Sequence, residues 1–244
     1  MTNIVTPRVQ LLAHTKIDEK AIGEWMGVQD ASTDAETLLT MAGRNCYRSF
    51  HRPNKATYDD ADYLRRTLGE QGHWSIAEHA TATLYFTGVS RAFLTELTRH
   101  RHLSFSVESQ RFINANDANI VIPPALRGLE SKIVYDSADF YDDLDGPPSE
   151  ALDWWFRDAL FNYEKLVEEL GDAGFTRKQA REAARAVLPN CVETRMVVTA
   201  NLRAWHEVIE RRTQPDADAE MKQVMRLAKA ALNPVSPVIF PKEK

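Results

Sequence analysis

Three pairs of helix-capping residues, Thr33 with Glu36, Ser75 with Glu78 and Thr176 with Gln179, limit what this chain can become. A Ser or Thr followed three residues later by Glu or Gln answers the orphan N–H groups of a helix start, so each pair marks a candidate N-terminus. After Thr33, Leu38, Leu39, Ala42 and Cys46 fall on one side of a helix. A second helix is expected from near Thr57, burying Ala61, Leu64 and Leu68 and stopping at Gly72. Ser75 competes with its surroundings, because 80–86 is rich in Thr and aromatic residues and favours a strand. Ser90 caps a further helix carrying Phe93, Leu94 and Leu97, which delivers Arg99, His100 and Arg101 at its end. A long helix from Ser149 to near Gly171 presents Trp155, Phe156, Leu160, Tyr163 and Leu166/Val167, and the helix after Thr176 ends at Pro189.

Strand patterns are fewer. Val9, Leu11 and Ala13 alternate with Arg8 and Gln10, 192–200 contains Val197 and Val198, and 109–112 also has an extended pattern. Helices are expected at about 203–212 and 217–232. Five aspartates within 136–145, before Gly146-Pro147-Pro148, indicate a solvated acidic loop or insertion at about 136–148. With no repeat and no linker, the expectation is one domain over 1–244, of α/β class (α+β type) and richer in helix than in strand.

Composition narrows the function. A net charge of −5 argues against a blanket nucleic-acid binder, although a local basic patch is compatible with it. Two cysteines, Cys46 and Cys191, cannot build a disulfide scaffold or a four-cysteine zinc site. His73 and His79, or His100 and His102, lack the i,i+4 spacing that puts two ligands on one helix face, so no metal is expected. Neither GxxxxGK[ST] nor GxGxxG occurs. Residues 1–14 carry no apolar core long enough for a signal peptide, and no run of 18 apolar residues exists, so a soluble cytoplasmic protein is expected.

Against that acidic background, Arg99, Arg101 and Arg111 with Glu108 give the 99–111 segment a formal charge of +2 (three positive, one negative). Guanidinium forks match phosphate oxygens, and hydroxyls and backbone N–H groups complete such a cradle. If 109–112 is extended, Ser109 and Arg111 point to one side. Glu96 lies one turn before Arg99 on the same helix face. Arg181 and Arg185 form a second group and Arg211-Arg212 a third, so three arginine sites could converge on one polyanion. A solvated basic turn with structural ion pairs, and i,i+4 solvation of Arg181 and Arg185, are the competing readings.

Arg99-His100-Arg101, seven residues, then Ser109 resembles the Arg-His-Arg-x7-Ser motif of the flavin-dependent thymidylate synthases. Gly43-Arg44-Asn45-Cys46-Tyr47, Gly72-His73-Trp74-Ser75 with Glu78-His79, Arg185-Ala186-Val187-Leu188-Pro189 and Asn201-Leu202-Arg203-Ala204-Trp205 follow in the family's order, from about residue 8 to about residue 240. The resemblance implies a homotetramer with active sites shared between subunits and a central, mostly antiparallel sheet flanked by helices. It implies reductive methylation of dUMP to dTMP, with methylenetetrahydrofolate as carbon donor and NADPH as reductant through non-covalent FAD. No enzyme nucleophile on the pyrimidine is implied, in keeping with the weak case for either cysteine. Glu96, Arg99, Ser109, Gln110, Arg111, Arg185 and Arg212 take the dUMP positions, with Arg212 and Ser109 in the catalytic roles. His73, Ser75, Glu78, Arg99, His100, Arg101, Asn201 and Arg203 take the FAD positions. The chain departs from the family at Val107 (Gln or Glu in relatives), Phe112 (often Tyr), and Glu207 and Asp216 (often Asn or His). A nucleic-acid module and an inactive homologue are the rival classes.

Overall fold

The computed structural model describes residues 3–130, 133–134 and 145–242. Of the acidic stretch read from the sequence, 136–144 lies outside the described residues. Among the described residues the strands are β1 (Ile4–Val5), β2 (Arg8–His14), β3 (Thr81–Ser90), β4 (Ser104–Val107), β5 (Ile120–Val121), β6 (Ile133–Val134), β7 (Asp145–Gly146) and β8 (Glu193–Asn201). The α-helices are α1 (Glu19–Gly23), α2 (Asp34–Asn45), α3 (Asp60–Leu64), α4 (Arg91–Leu97), α5 (Pro148–Asp172), α6 (Arg177–Ala184), α7 (Leu202–Arg212) and α8 (Ala219–Leu232). The fold is α/β and helix-rich, with mixed sheets: four strands in the order β2-β3-β8-β4, a parallel pair β1-β5 and an antiparallel pair β6-β7.

The described chain falls into two compact units. The first is built from Met1–Arg8, Thr87–Arg99 and Ser106–Met196, and the second from Val9–Phe86, His100–Phe105 and Val197–Lys244.

In the second unit, alternation along β3 buries Ala82, Leu84 and Phe86. Trp205 of α7 is fully buried there, its indole N–H donating to the Ala82 carbonyl at 3.0 Å. Met221, Val224, Met225, Ala228 and Leu232 give α8 one continuous buried stripe. Thr33 caps α2 as expected, its hydroxyl accepting from the Glu36 N–H at 3.2 Å. The reciprocal half of the capping box is not what Glu36 does. Its carboxylate is buried and accepts from the Ser236 hydroxyl and the Val238 N–H, both at 2.9 Å, tying the segment after α8 to α2. Two other expectations change here. The helix placed from Thr57 begins at Asp60 and passes into a wide π turn at Arg65–Glu70, although Leu64 and Leu68 are buried as read. Cys46 is exposed rather than part of α2's apolar stripe.

The first unit packs α5 against α6 and β5. Phe156 joins Ile120, Ile122, Cys191 and Val192, while Tyr163 packs with Ala115 and Ala184. At Thr176 both halves of the capping box form, the hydroxyl accepting from Gln179 N–H while the Gln179 side chain accepts from Thr176 N–H. Gly88 has φ +66°, and a Cβ there would lie 2.0 Å from the Thr6 carbonyl oxygen, so this bend in β3 requires glycine.

Candidate active site

The residues expected at the dUMP positions lie in the first unit, except Arg212. Ser90 caps α4, accepting from the Phe93 N–H at 3.0 Å, and α4 ends beside Arg99. Helix α4 stops at Leu97, so Arg99 lies two residues past its end rather than on the helix face expected, yet it still reaches Glu96 at 3.8 Å. The extended run expected at 109–112 is instead a turn. Strand β4 stops at Val107, and the N–H groups of Phe112 and Ile113 both return to the Ser109 carbonyl, at 3.1 and 3.0 Å. Ser109 and Arg111 are therefore brought together by the turn, with the Arg111 N–H 3.4 Å from Ser109 Oγ, and not by strand alternation. Helix α6 meets this turn: Arg181 donates to the Phe112 carbonyl at 2.5 Å, and Arg111 pairs with Glu182 at 3.4 Å. Two of the three arginine groups thus converge. Arg185 closes α6 and is exposed. Gln110 lines a cavity of about 310 Å3 with Glu108, Leu188, Glu193 and Arg195.

The residues expected at the FAD positions lie in the second unit, except Arg99. His73, Ser75 and Glu78 sit on or beside a 3-10 turn at Trp74–Glu78. Ser75 caps no helix, and Glu78 is directed to Arg203 at 2.6 Å. Arg203 is held on its other side by Glu207 at 2.8 Å. Donating to Glu207, and then to Glu78, raises its pKa above the ordinary guanidinium value. Asn201 caps α7, accepting from the Ala204 N–H at 2.8 Å. Arg212, at the end of α7, donates through Nε to His100 Nε2 at 2.8 Å, which requires the proton of a neutral His100 to be on Nδ1. Arg101 is exposed. His73, Ser75 and Arg203 border a cavity of about 730 Å3 together with Trp74, His206 and Arg211. There Trp74 and His206 stack with centroids 3.9 Å apart and planes 12° from parallel, and burial lowers the His206 pKa. A larger cavity, about 790 Å3, is lined by Asn116, Arg157, Phe161 and neighbours and contains none of the expected site residues.

Sequence reading passed over His206 and Arg91. It set Glu207 aside although the i,i+4 spacing from Arg203 signals their pairing. The Gly43-Arg44 motif has a packing reason instead: Arg44 is buried over the Tyr63 ring at 4.4 Å, and a Cβ on Gly43 would meet the Tyr63 hydroxyl at 2.5 Å. Among the described residues no cluster of three or more His, Cys, Asp or Glu could hold a metal ion, and no helix is long and apolar enough to cross a membrane.

An α/β chain with a cationic turn in one unit and a polar, aromatic-floored cavity in the other falls in the thymidylate synthase complementing class: the family model described as "Thymidylate synthase complementing protein" matches residues 28–238. A probable flavin-dependent thymidylate synthase of Mycobacterium phage L5 is 50% identical over 191 residues, covering 78% of this chain and 73% of the relative. The flavin-dependent thymidylate synthase of Mycobacteroides abscessus is 39% identical over 243 residues, covering 98% and 91%. The crystal structure of ThyX from Helicobacter pylori complexed with FAD and dUMP shares the fold, with TM-score 0.65 at 20% identity over 96% of this chain and 98% of that one. The chain belongs to the flavin-dependent thymidylate synthases, FAD-dependent enzymes that make dTMP.

Proposed function

We propose that this protein converts dUMP to dTMP by reductive methylation, taking the carbon from methylenetetrahydrofolate and reducing equivalents from NADPH through bound FAD. The observation that carries the reading is the turn that follows Arg99-His100-Arg101-x7-Ser109, where Ser109 and Arg111 are gathered against α6 and its arginines. In a chain of net charge −5, guanidinium groups and a hydroxyl at one place suit a phosphate monoester. Ser109, Gln110, Arg111 and Arg185 hold the dUMP phosphate and ribose, with Glu96 and Arg99 beside them. Arg212 binds the uracil ring, and its charge stabilises electron density as C5 becomes nucleophilic. His100, by accepting from Arg212 Nε, keeps that guanidinium oriented.

The donor set of the second unit fits FAD. Arg101 and Arg203 suit a pyrophosphate, Ser75, His73 and Asn201 add neutral polar groups, and Glu78 suits ribose hydroxyls. When bound, FAD supplies the redox chemistry; the protein binds, orients and screens the reactants. No thiol is needed. Cys191 is buried, with its pKa pushed up to about 11, so it is not a thiolate at neutral pH. The reading includes a single functional domain over 1–244, a mostly antiparallel central sheet, and a cytoplasmic homotetramer whose active sites draw on more than one subunit.

The test is the visible spectrum and ligand binding of the purified protein. A yellow protein that bleaches with NADPH and releases tritium from C5-labelled dUMP is expected, and a colourless one that takes up no added FAD refutes the reading. Arg111→Ala should weaken dUMP binding far more than FAD binding, and equal losses would refute the assignment of Arg111 to the nucleotide.

A further inference from the structure

Arg91 opens α4 and belongs to none of the motifs read from the sequence. Its backbone is anchored, the N–H donating to the Val192 carbonyl at 3.1 Å. Its side chain is half-buried and reaches the Glu108 carbonyl through Nη2 at 2.9 Å. The Glu108 N–H in turn donates to the Arg195 carbonyl at 2.9 Å. Residue 108 is thus gripped at both its N–H and its C=O, and Ser109, Gln110 and Arg111 follow directly. Behind this grip, the buried Glu193 carboxylate accepts from the Gly88 N–H at 2.8 Å, the Asn119 amide at 2.6 Å and Arg195 Nε at 3.3 Å. One end of the grip is therefore fixed to a rigid strand and the other to a cation.

That cation is unusual. Arg91 Nε is buried and has no hydrogen-bond partner among the described residues. Burial lowers its pKa; the Glu108 charge offsets part of that, and the charge of Arg185 adds a smaller lowering. A partly desolvated guanidinium with an unmet N–H beside a second arginine is an expensive way to hold one carbonyl. A neutral amide donor would hold that carbonyl without the desolvated charge, so a role for the charge is indicated.

We propose that Arg91 is a positioning residue for the nucleotide cradle: its grip on the Glu108 carbonyl sets how the Ser109–Arg111 turn leaves β4, and its charge makes that turn selective for a phosphorylated nucleoside. The inference rests on the reading of Ser109–Arg111 as the dUMP phosphate site. It concerns a residue acting through Glu108, so its signature is a change in substrate affinity without a matching change in FAD affinity or in turnover of bound substrate.

The experiment titrates dUMP and, separately, deoxyuridine into FAD-loaded wild type, Arg91→Met and Arg91→Lys by calorimetry, with FAD affinity, kcat and KM measured in parallel. For Arg91→Met, dUMP binding should weaken about tenfold or more, with deoxyuridine binding, FAD binding and kcat each within about twofold of wild type. Arg91→Lys, whose ammonium keeps the charge and can reach the same carbonyl, should recover dUMP binding to within about threefold. If Arg91→Met does not fold, Arg91→Leu, which also lacks a donor, takes its place under the same limits. The proposal is overturned if dUMP binding is unchanged, if dUMP and FAD affinities fall in equal proportion, or if Arg91→Lys is no better than Arg91→Met. A wild type that binds no dUMP overturns the reading of the site itself, whereas normal wild-type binding with an unaffected Arg91→Met variant overturns this inference alone.

Discussion

Replacing Arg52 by methionine should be among the most damaging single changes in the second unit. Arg52 adopts φ +50°, and its side chain is 6% exposed, paired with an Asp60 whose side chain is 0% exposed. One amino group of Arg52 donates to Asp60 Oδ1 and to the Tyr58 carbonyl, both at 2.6 Å, and the other to the Gly27 carbonyl at 3.1 Å. Methionine preserves most of the stem volume but removes all three bonds. Among the described residues the buried carboxylate then keeps Thr37 Oγ1, at 3.4 Å, as its side-chain donor. Breaking one side of a buried ion pair costs about 3–5 kcal/mol. At roughly 2–4 °C per kcal/mol for a chain of this size, the melting temperature should fall by about 6–20 °C. Urea unfolding followed by far-UV circular dichroism gives the free energy, and calorimetry gives the midpoint. The decisive comparison is Arg52→Met with Asp60→Asn in one chain. Removing the stranded charge should return about 1–3 kcal/mol relative to Arg52→Met alone. A single variant losing less than about 1 kcal/mol, or a double variant no more stable than the single, would refute the claim that the uncompensated carboxylate dominates the cost.

Two further outcomes follow from backbone strain and thiol burial. Gly88→Ala forces a Cβ to φ +66° and to 2.0 Å from the Thr6 oxygen, so it should cost more than about 2 kcal/mol; a urea midpoint change worth under about 0.5 kcal/mol would contradict it. With Ellman's reagent at pH 8, exposed Cys46 should react at once and Cys191 only in denaturant. Burial raises the Cys191 pKa to about 11, so its thiolate form is gained only as pH rises towards that value, and two thiols titrating in the native protein would be the wrong result.

Much of the secondary structure was legible because its signals are local. The Ser90 and Thr176 caps and the apolar stripe of α5 each depend on neighbours within about four residues, whereas α6, read as running to Pro189, stops at Ala184 and tightens into a 3-10 turn at Arg185–Val187. Errors arose where distant chain segments compete for the same group. Glu36 is spaced to complete a capping box, but its carboxylate is taken by Ser236 and Val238, some two hundred positions away. Glu78 has the same spacing from Ser75 and is taken by Arg203. At 109–113 the alternation was real in composition, yet the Ser109 carbonyl collects two N–H groups and turns the chain. Of the site, the sequence left open whether the 181–185 arginines approach the 99–111 segment; Arg181 reaches the Phe112 carbonyl just after it. Arg91 stayed hidden because its meaning lies in a contact with a main-chain carbonyl seventeen residues on, and any residue type can offer that carbonyl.

The two long strands have a consequence for how the protein is made. Strand β3 passes from the second unit into the first between residues 86 and 87, and β8 passes back between 196 and 197. A chain emerging from the ribosome therefore carries unit-two segments that must wait for 197–244 before their core can close, while the first unit becomes complete in sequence at Met196. Ala82 and Phe86 spend that interval without Trp205 of α7. Synthesis order thus leaves the apolar side of β3 open to wrong partners until 197–244 arrives.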